Sequence, residues 1–399
     1  MTRLNQGGKK MSTSDSIAYK FRPPFHEATL GGQLDKEDHT ASIFRHHALF
    51  FNDIANYNDP FESQFICPEK PKNDAHAFSS LFHRIISAVG GSAPDVKLFL
   101  ANPLARWFMY EVANHEPEHA SIIIGLESQY KNYMSRIGTL CLNESFDDIL
   151  SWSHYGCNHS GIAIGFDVNE LYQPQENYSA LPKEDDWETQ KRRPPEHGIL
   201  IDGDPIPITY VSAQIPIDIM SFTPNDFARS SLSTKSLHWG YERELRYLAF
   251  PRQKWVTYWD ILKIIRKPIL ERVGWQDRIF TFPTLGVVDG KEVDFMDRQD
   301  QELCDLAETG YDYLDDYPRQ IVYSEITDLL MPEGWVSKNA IPFKNPFALK
   351  EVIFGSKMSQ SDIERHSRWI RGLGLYDHVK LYHMLASPSC YQMRRTELT

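Results

Sequence analysis

Cysteine is scarce. The five in 399 residues, Cys67, Cys141, Cys157, Cys304 and Cys390, are odd in number and widely spread. None forms a Cys-x-x-Cys pair, so thioredoxin-like redox sites and the common structural zinc sites are excluded, and a reducing compartment is the simplest setting. Long apolar runs are missing too. No stretch approaches the roughly 20 residues that span a bilayer, and residues 1–16 are polar, without the apolar core of a secretory signal. The expectation is a soluble cytoplasmic protein with no membrane partner. Residues 1–16 read as a disordered leader, with Met11 an alternative native start. Also absent are Gly-x-Gly-x-x-Gly, the P-loop, His-Glu-x-x-His and Gly-x-Ser-x-Gly, which removes the familiar dinucleotide, nucleoside-triphosphate, zincin and hydrolase-elbow routes.

What is present is globular. Hydrophobic residues make up 41% and aromatics 13%, enough to bury a core, and the length corresponds to two or three domain equivalents. The net charge of −12 disfavours a protein that grips nucleic acid by neutralising phosphate, although a local basic groove survives that arithmetic. The charge is also uneven. Residues 251–341 carry −6, half the total, with nine acidic residues against a single Arg between Asp294 and Asp316. That stretch reads as an acidic insertion with a solvated or partner-facing surface, its protein partner unknown. It lacks the Asp-x-Asp-x-Asp-Gly loop of a calcium site. The core is then discontinuous, 17–250 and 342–390, with 391–399 a tail.

Within the core, residues 17–22 read as a strand stopped by Pro23-Pro24, and 48–51 as a second. Apolar spacing from 73 to about 136 predicts a helical layer. Residues 137–145 read as a strand and turn, 147–156 as a short helix with acidic residues at its start, and 160–168 as a buried strand. Strands are also expected within 197–213, 349–355 and 378–385, and an amphipathic helix follows a Ser359 or Ser361 cap. Without a regular βαβ period the class is α+β, a mixed and mainly antiparallel sheet with a helical layer.

Several islands together resemble the bacterial domain-of-unknown-function family 2971: Tyr19-Lys20-Phe21-Arg22, Asn58-Asp59-Pro60-Phe61, Cys141 with Asn143-Glu144-Ser145, Trp152 to Asp167, Trp239 to Arg246, and Lys350 to Gly355. Residues 251–341 depart from the family pattern. The resemblance supplies relatives rather than a reaction, so chemistry is read from the islands.

In Tyr241-Glu242-Arg243-Glu244-Leu245-Arg246, a strand would put Glu242, Glu244 and Arg246 on one face, the carboxylates roughly 7 Å apart. A helix would reduce Glu242 and Arg246 to an i,i+4 pair worth about 0.2–0.5 kcal/mol. The Glu-x-Glu order is similar to that of arginine-type ADP-ribosyltransferases, with Arg22 as the early arginine and Ser151-Trp152-Ser153 as the Ser-x-Ser element. In that likeness Glu242 and Glu244 are the catalytic pair and Glu244 stabilises an oxocarbenium-like transition state as nicotinamide leaves NAD. Arg22 holds phosphate through its forked guanidinium.

The island from Trp152 to Gly161 clusters His154, Tyr155, Cys157 and His159. Its His-x-x-Cys-x-His spacing matches no common zinc site, so no metal is expected. Trp152 is expected to pack inward, with His154 and Tyr155 forming a wall for a flat ring. Asn58 and Asp59 before Pro60 suit an Asx-turn with Phe61 as a core plug; the functional alternative has Asp59 or Glu62 bind a ribose or orient Arg22. Alternation places Lys20 and Arg22 on one face, where they need anions: Asp59 and the 242–246 carboxylates, or a ligand phosphate. Pairing of Arg22 with Glu244 is the simplest arrangement.

The sequence therefore predicts a cleft in which Arg22, Tyr19, Asp59, Ser153, His154, Tyr155 and Arg246 bind a nucleotide such as NAD beside Glu242 and Glu244. ADP-ribose transfer or glycosidic hydrolysis would suit bacterial defence or toxicity, by analogy. The rival is a noncatalytic ligand-sensing or protein-interaction module built on a structural charge network. A third reading is metal-independent nucleic-acid processing.

Overall fold

The structure is a computed structural model. It describes residues 16–33, 38–57, 59, 61–62, 119–174, 176–181, 195, 198–217, 224–252, 285–288, 291–294, 331, 333–387, 389–390 and 392–398, and parts of 260–264 and 325–329. The leader, the helical pattern of 73–118 and the acidic residues 295–316 lie outside the described residues.

The fold is α+β, and its body is a nine-stranded, mostly antiparallel sheet. Strand β1 (Ile17–Arg22) lies near the middle. Helices α1 (Glu27–Leu30) and α2 (His39–His46) lead to β2 (Ala48–Phe51). After α3 (His119–Arg136) come β3 (Gly138–Asn143), α4 (Ile149–His154), β4 (Ile162–Asp167) and α5 (Val168–Leu171). Short strands β5 (Ile199–Ile201), β6 (Ile206–Pro207) and β7 (Thr209–Val211) precede α6 (Pro224–Leu232). Strand β8 (Thr234–Ser236), a 3-10 turn (Leu237–Glu242) and β9 (Glu244–Pro251) follow. A hairpin, β10 (Leu285–Val288) and β11 (Lys291–Asp294), falls inside the acidic stretch. The chain ends with β12 (Asn339–Pro342), β13 (Leu349–Phe354), α7 (Gln360–Gly372), β14 (Lys380–Ala386) and β15 (Met393–Glu397).

The strand order is β15-β14-β13-β4-β1-β3-β9-β5, with β6 also paired to β9. The one parallel pair in this sheet, β13 with β14, is joined through α7, as a parallel crossover requires. Strand β4 is buried along its first five residues, as befits an apolar run covered on both faces. One face carries the larger core, including Phe44, Phe51, Phe166, Tyr247 and Ile370; the other packs Tyr19, Phe21, Trp152, Tyr382 and Met384. Trp152 is fully buried, edge-on to Phe21 at 5.0 Å, and its indole N–H donates to the Phe146 carbonyl at 2.6 Å. Helix starts follow their caps: Asp148 accepts from Ser151 N at 2.8 Å, and Ser359 from Asp362 N at 3.2 Å. The residues set apart as a tail add the edge strand β15, and the core resumes before residue 342, with Val336 and Ile341 fully buried. Among the described residues no helix is long and apolar enough to cross a membrane.

One irregularity opens the sheet. Strand β1 pairs with β4 along all six residues but with β3 only at Tyr19↔Asn143. Past that point β1 and β3 part, and Lys20 and Arg22 follow the separation. The loop between α4 and β4 braces this end. Cys157, Asn158 and His159 are all left-handed (φ 48°, 55° and 72°), a costly run for non-glycine residues. Its closure brings Gly161 so near β1 that a Cβ would lie 2.3 Å from the Arg22 carbonyl oxygen. Gly161→Ala should therefore push the end of β1 outward and cost about 1–3 kcal/mol, read as a lowered urea midpoint with unchanged slope.

Candidate functional site

A cavity of about 400 Å³ lies where β1 and β3 part, walled by Lys20 and Arg22 from β1, Cys141 and Asn143 from β3, His154 and Tyr155 at the end of α4, and Tyr57, Glu62, Lys235, Glu242, Glu244 and Arg246. Its size falls within the range of small-ligand pockets, about 300–1,000 Å³.

Its floor is a charge cluster. Strand β9 begins at Glu244, and the two-residue period places Glu244 and Arg246 on one face, where Arg246 Nε and Nη2 both donate to Glu244 Oε1 at 2.9 and 2.7 Å. Glu242 precedes the strand, at the end of the 3-10 turn. The intervening Arg243 is left-handed (φ 43°), and this turn brings Glu242 and Glu244 onto a common partner. That partner is Lys235 on β8, whose ammonium donates to Glu242 Oε2 at 2.7 Å and Glu244 Oε2 at 3.1 Å. Parallel pairing of β8 with β7 delivers Lys235, and Tyr210 of β7 accepts the Glu244 backbone N–H at 2.8 Å. Tyr155 donates to Glu242 Oε1 at 2.6 Å, and Asn143 bonds the Glu242 carbonyl at 3.0 Å and Ser151 Oγ at 2.9 Å. The Arg246 guanidinium lies 5.2 Å from the Tyr57 ring centre, and Lys235 Nζ 4.9 Å from that of Trp239.

Burial pushes the Glu244 carboxyl up, but Arg246 and Lys235 pull it down more strongly, to about 2. Burial likewise opposes the charge on Lys235, yet its three glutamates leave its pKa raised. Burial and the nearby Glu244 push the Cys141 thiol up to about 12, so it stays protonated and is no thiolate nucleophile. Lys20 and Arg22 differ from the cluster's cations. Lys20 Nζ donates to the Cys141 carbonyl at 2.9 Å, Arg22 Nε is buried without a hydrogen-bond partner, and burial lowers both pKa values. Among the described residues neither forms an ion pair.

The expected residues are thus divided. Arg22, His154, Tyr155, Glu242, Glu244 and Arg246 line one cavity. Tyr19 lies outside it, donating to Glu351 Oε1 at 2.8 Å beside Arg395, which also pairs with Glu351. Ser153 is outside it too, 3.4 Å from Asn158 Oδ1, and the Ser-Trp-Ser element is helical. Asp59 makes the Asx-turn, accepting from Phe61 N at 2.9 Å, and its role is to deliver Glu62. Two expectations are corrected. Phe61 is 60% exposed and not a core plug, because the turn aims Glu62 inward in its place. Arg22 does not pair with Glu244, whose two oxygens are occupied by Arg246 and Lys235. Lys235 went unnoticed in the sequence because Ser-Thr-Lys-Ser carries no apolar period. Among the described residues no His, Cys, Asp and Glu grouping could hold a metal.

Lowering of the Glu244 pKa stabilises the fold above the ordinary carboxyl value of about 4.5, and that stability is lost as pH falls toward 2. Glu244→Gln should destabilise by about 3–5 kcal/mol at pH 7, since it strands Arg246 and Lys235. Urea titrations at pH 7 and pH 3 should show the deficit shrinking at the lower pH.

Residues 151–247 match the family model described as "Protein of unknown function (DUF2971)". No curated protein and no solved structure matches the chain. The matched segment runs from the α4 cap partner Ser151 through Lys235, Glu242, Glu244 and Arg246, so those four members of the charge cluster lie inside it and Glu62 lies outside. From α4 to the first half of β9, the chain is similar to the DUF2971 model, and of the six islands in its sequence Trp152 to Asp167 and Trp239 to Arg246 fall within that match.

Proposed function

We propose that the cavity is the binding site for an anionic ligand of the nucleotide class, NAD or an ADP-ribose-bearing relative. One observation carries this reading: Lys20 and Arg22 line the cavity with no carboxylate paired to either among the described residues. Burial lowers both pKa values against partial support from Glu244 near Lys20 and Asp38 near Arg22, and an incoming phosphate would supply a directly paired counter-charge. The guanidinium fork of Arg22 suits two phosphate oxygens, with Lys20 as a point charge beside it. The aromatic edge, Tyr155 with His154 and Tyr241 (ring centres 6.1 and 6.3 Å from His154), suits a flat base.

The chemistry the site would favour is cleavage at a glycosidic carbon, either ADP-ribose transfer or hydrolysis. Glu244 is held ionised and could stabilise positive charge developing on a ribose. A second reading, ligand sensing without turnover, is favoured by a different observation. Glu242, Glu244, Lys235 and Arg246 already satisfy one another at 2.7–3.1 Å, as a structural network would.

Calorimetry with ADP-ribose should show binding that weakens at least tenfold in Arg22→Ala and Lys20→Ala, and that weakens with added salt. NAD consumption by the purified protein, compared with Glu244→Gln, separates the two readings. Turnover lost in the variant supports the enzyme; binding without turnover supports the sensor. Absence of ADP-ribose binding would remove both.

A further inference from the structure

The cluster does not balance. Three carboxylates, Glu62, Glu242 and Glu244, share two cations, Lys235 and Arg246, and the side chains of all five are at most 5% exposed. An excess negative charge in so dry a place is costly, and a single proton cancels it.

The hydrogen bonds single out one of the three carboxyls. Glu244 receives donors on both oxygens, from Arg246 and Lys235, and Glu242 receives them from Tyr155 and Lys235. Glu62 receives none: both of its oxygens are buried without a hydrogen-bond partner. Its Oε1 is in a close ion pair with Arg246 Nη2 at 2.6 Å, which favours the ionised form, while its Oε2 is 3.9 Å from Lys235 Nζ and is the oxygen left to carry a proton. Charged groups face it from every side: Lys235 on β8, Glu244 and Arg246 on β9, Glu242 from the 3-10 turn, with Lys20 and Arg22 across the cavity. Burial raises the Glu62 pKa, with Arg246 and Lys235 opposing and Glu244 adding to the rise. Two carboxyls on the same cations are thereby pushed in opposite directions, the arrangement that separates a proton-bearing acid from an ionised base.

We propose that Glu62 is a further ligand-binding residue of this cavity, standing in it as a neutral carboxylic acid whose O–H donates to an oxygen of the bound anion. The inference rests on the nucleotide reading for its ligand and on cluster geometry for its proton. A neutral Glu62 removes a negative charge from the cavity wall, and it offers a donor where a carboxylate offers only acceptors. Binding should be strongest where Glu62 is protonated and should weaken as pH rises through its pKa.

Two arms test this. In the full chain labelled with δ-13C glutamate, carboxyl NMR from pH 3 to 8 should show a resonance titrating above the ordinary 4.5 that is missing from Glu62→Gln. A Glu62 resonance titrating at or below 4.5 overturns the protonated state. If Glu62→Gln folds poorly, Glu62→Asp assigns the same resonance by its disappearance from the glutamate spectrum. In the second arm, ADP-ribose affinity of the wild type should fall about tenfold per pH unit above that pKa, the slope of one linked proton, while Glu62→Gln binds equally across the range. Equal slopes in both proteins overturn the ligand role of Glu62. No ADP-ribose binding at any pH overturns the nucleotide reading and the ligand role with it, whereas the NMR arm decides the proton separately.

Discussion

Two buried cations, Lys235 and Arg246, hold three glutamates at one end of the sheet, and the site takes its form from that ratio. Each glutamate arrives by a different route: Glu62 from an Asx-turn, Glu242 from a 3-10 turn, Glu244 from the first residue of β9. Breaking any one link would leave a charge without its partner in a dry environment, which costs far more than an exposed ion pair contributes. The cluster therefore fixes the mutual placement of β8, β9 and the turn between them. That stretch lies within the segment that matches the family model.

Against this anchored floor, the opposite wall is left electrically open. Lys20 and Arg22 sit where β1 departs from β3, and the departure is enforced from behind by the left-handed loop at Cys157–His159 and the close approach of Gly161 to the Arg22 carbonyl. The cavity thus pairs a hydrogen-bonded network of Glu242, Glu244, Lys235 and Arg246 with two cations that form no ion pair among the described residues. The proposed ligand phosphate would give those two cations a partner, with the network holding the walls in place.

Much of the fold was legible because its signals are local. Alternation marked β1, apolar runs marked β4 and β13, and the side-chain caps Asp148 and Ser359 marked their helices. The site was legible in part. The glutamates and Arg246 were evident as a charged motif, and Arg22 as a cation in need of an anion. The arrangement was not. It depends on a positive φ at Arg243, for which a non-glycine residue gives no cue, and on Lys235, which is placed by long-range pairing of β7 with β8. Tyr19 belongs to the same strand as Arg22, and Ser153 to the Ser-x-Ser likeness, yet Tyr19 packs on the opposite core with Glu351 and Arg395, and Ser153 stays at the helix end. The −12 total misleads as well, since half of it belongs to 251–341 and the cavity itself carries four cations to three carboxyls.

The most direct measurement is a crystal structure of the protein grown with ADP-ribose. The account predicts diphosphate density on Lys20 Nζ and Arg22 Nε, with the Lys235–Glu242 and Arg246–Glu244 bonds unchanged beneath it. A cavity empty of ligand, with Arg22 turned onto a protein carboxylate, would contradict it.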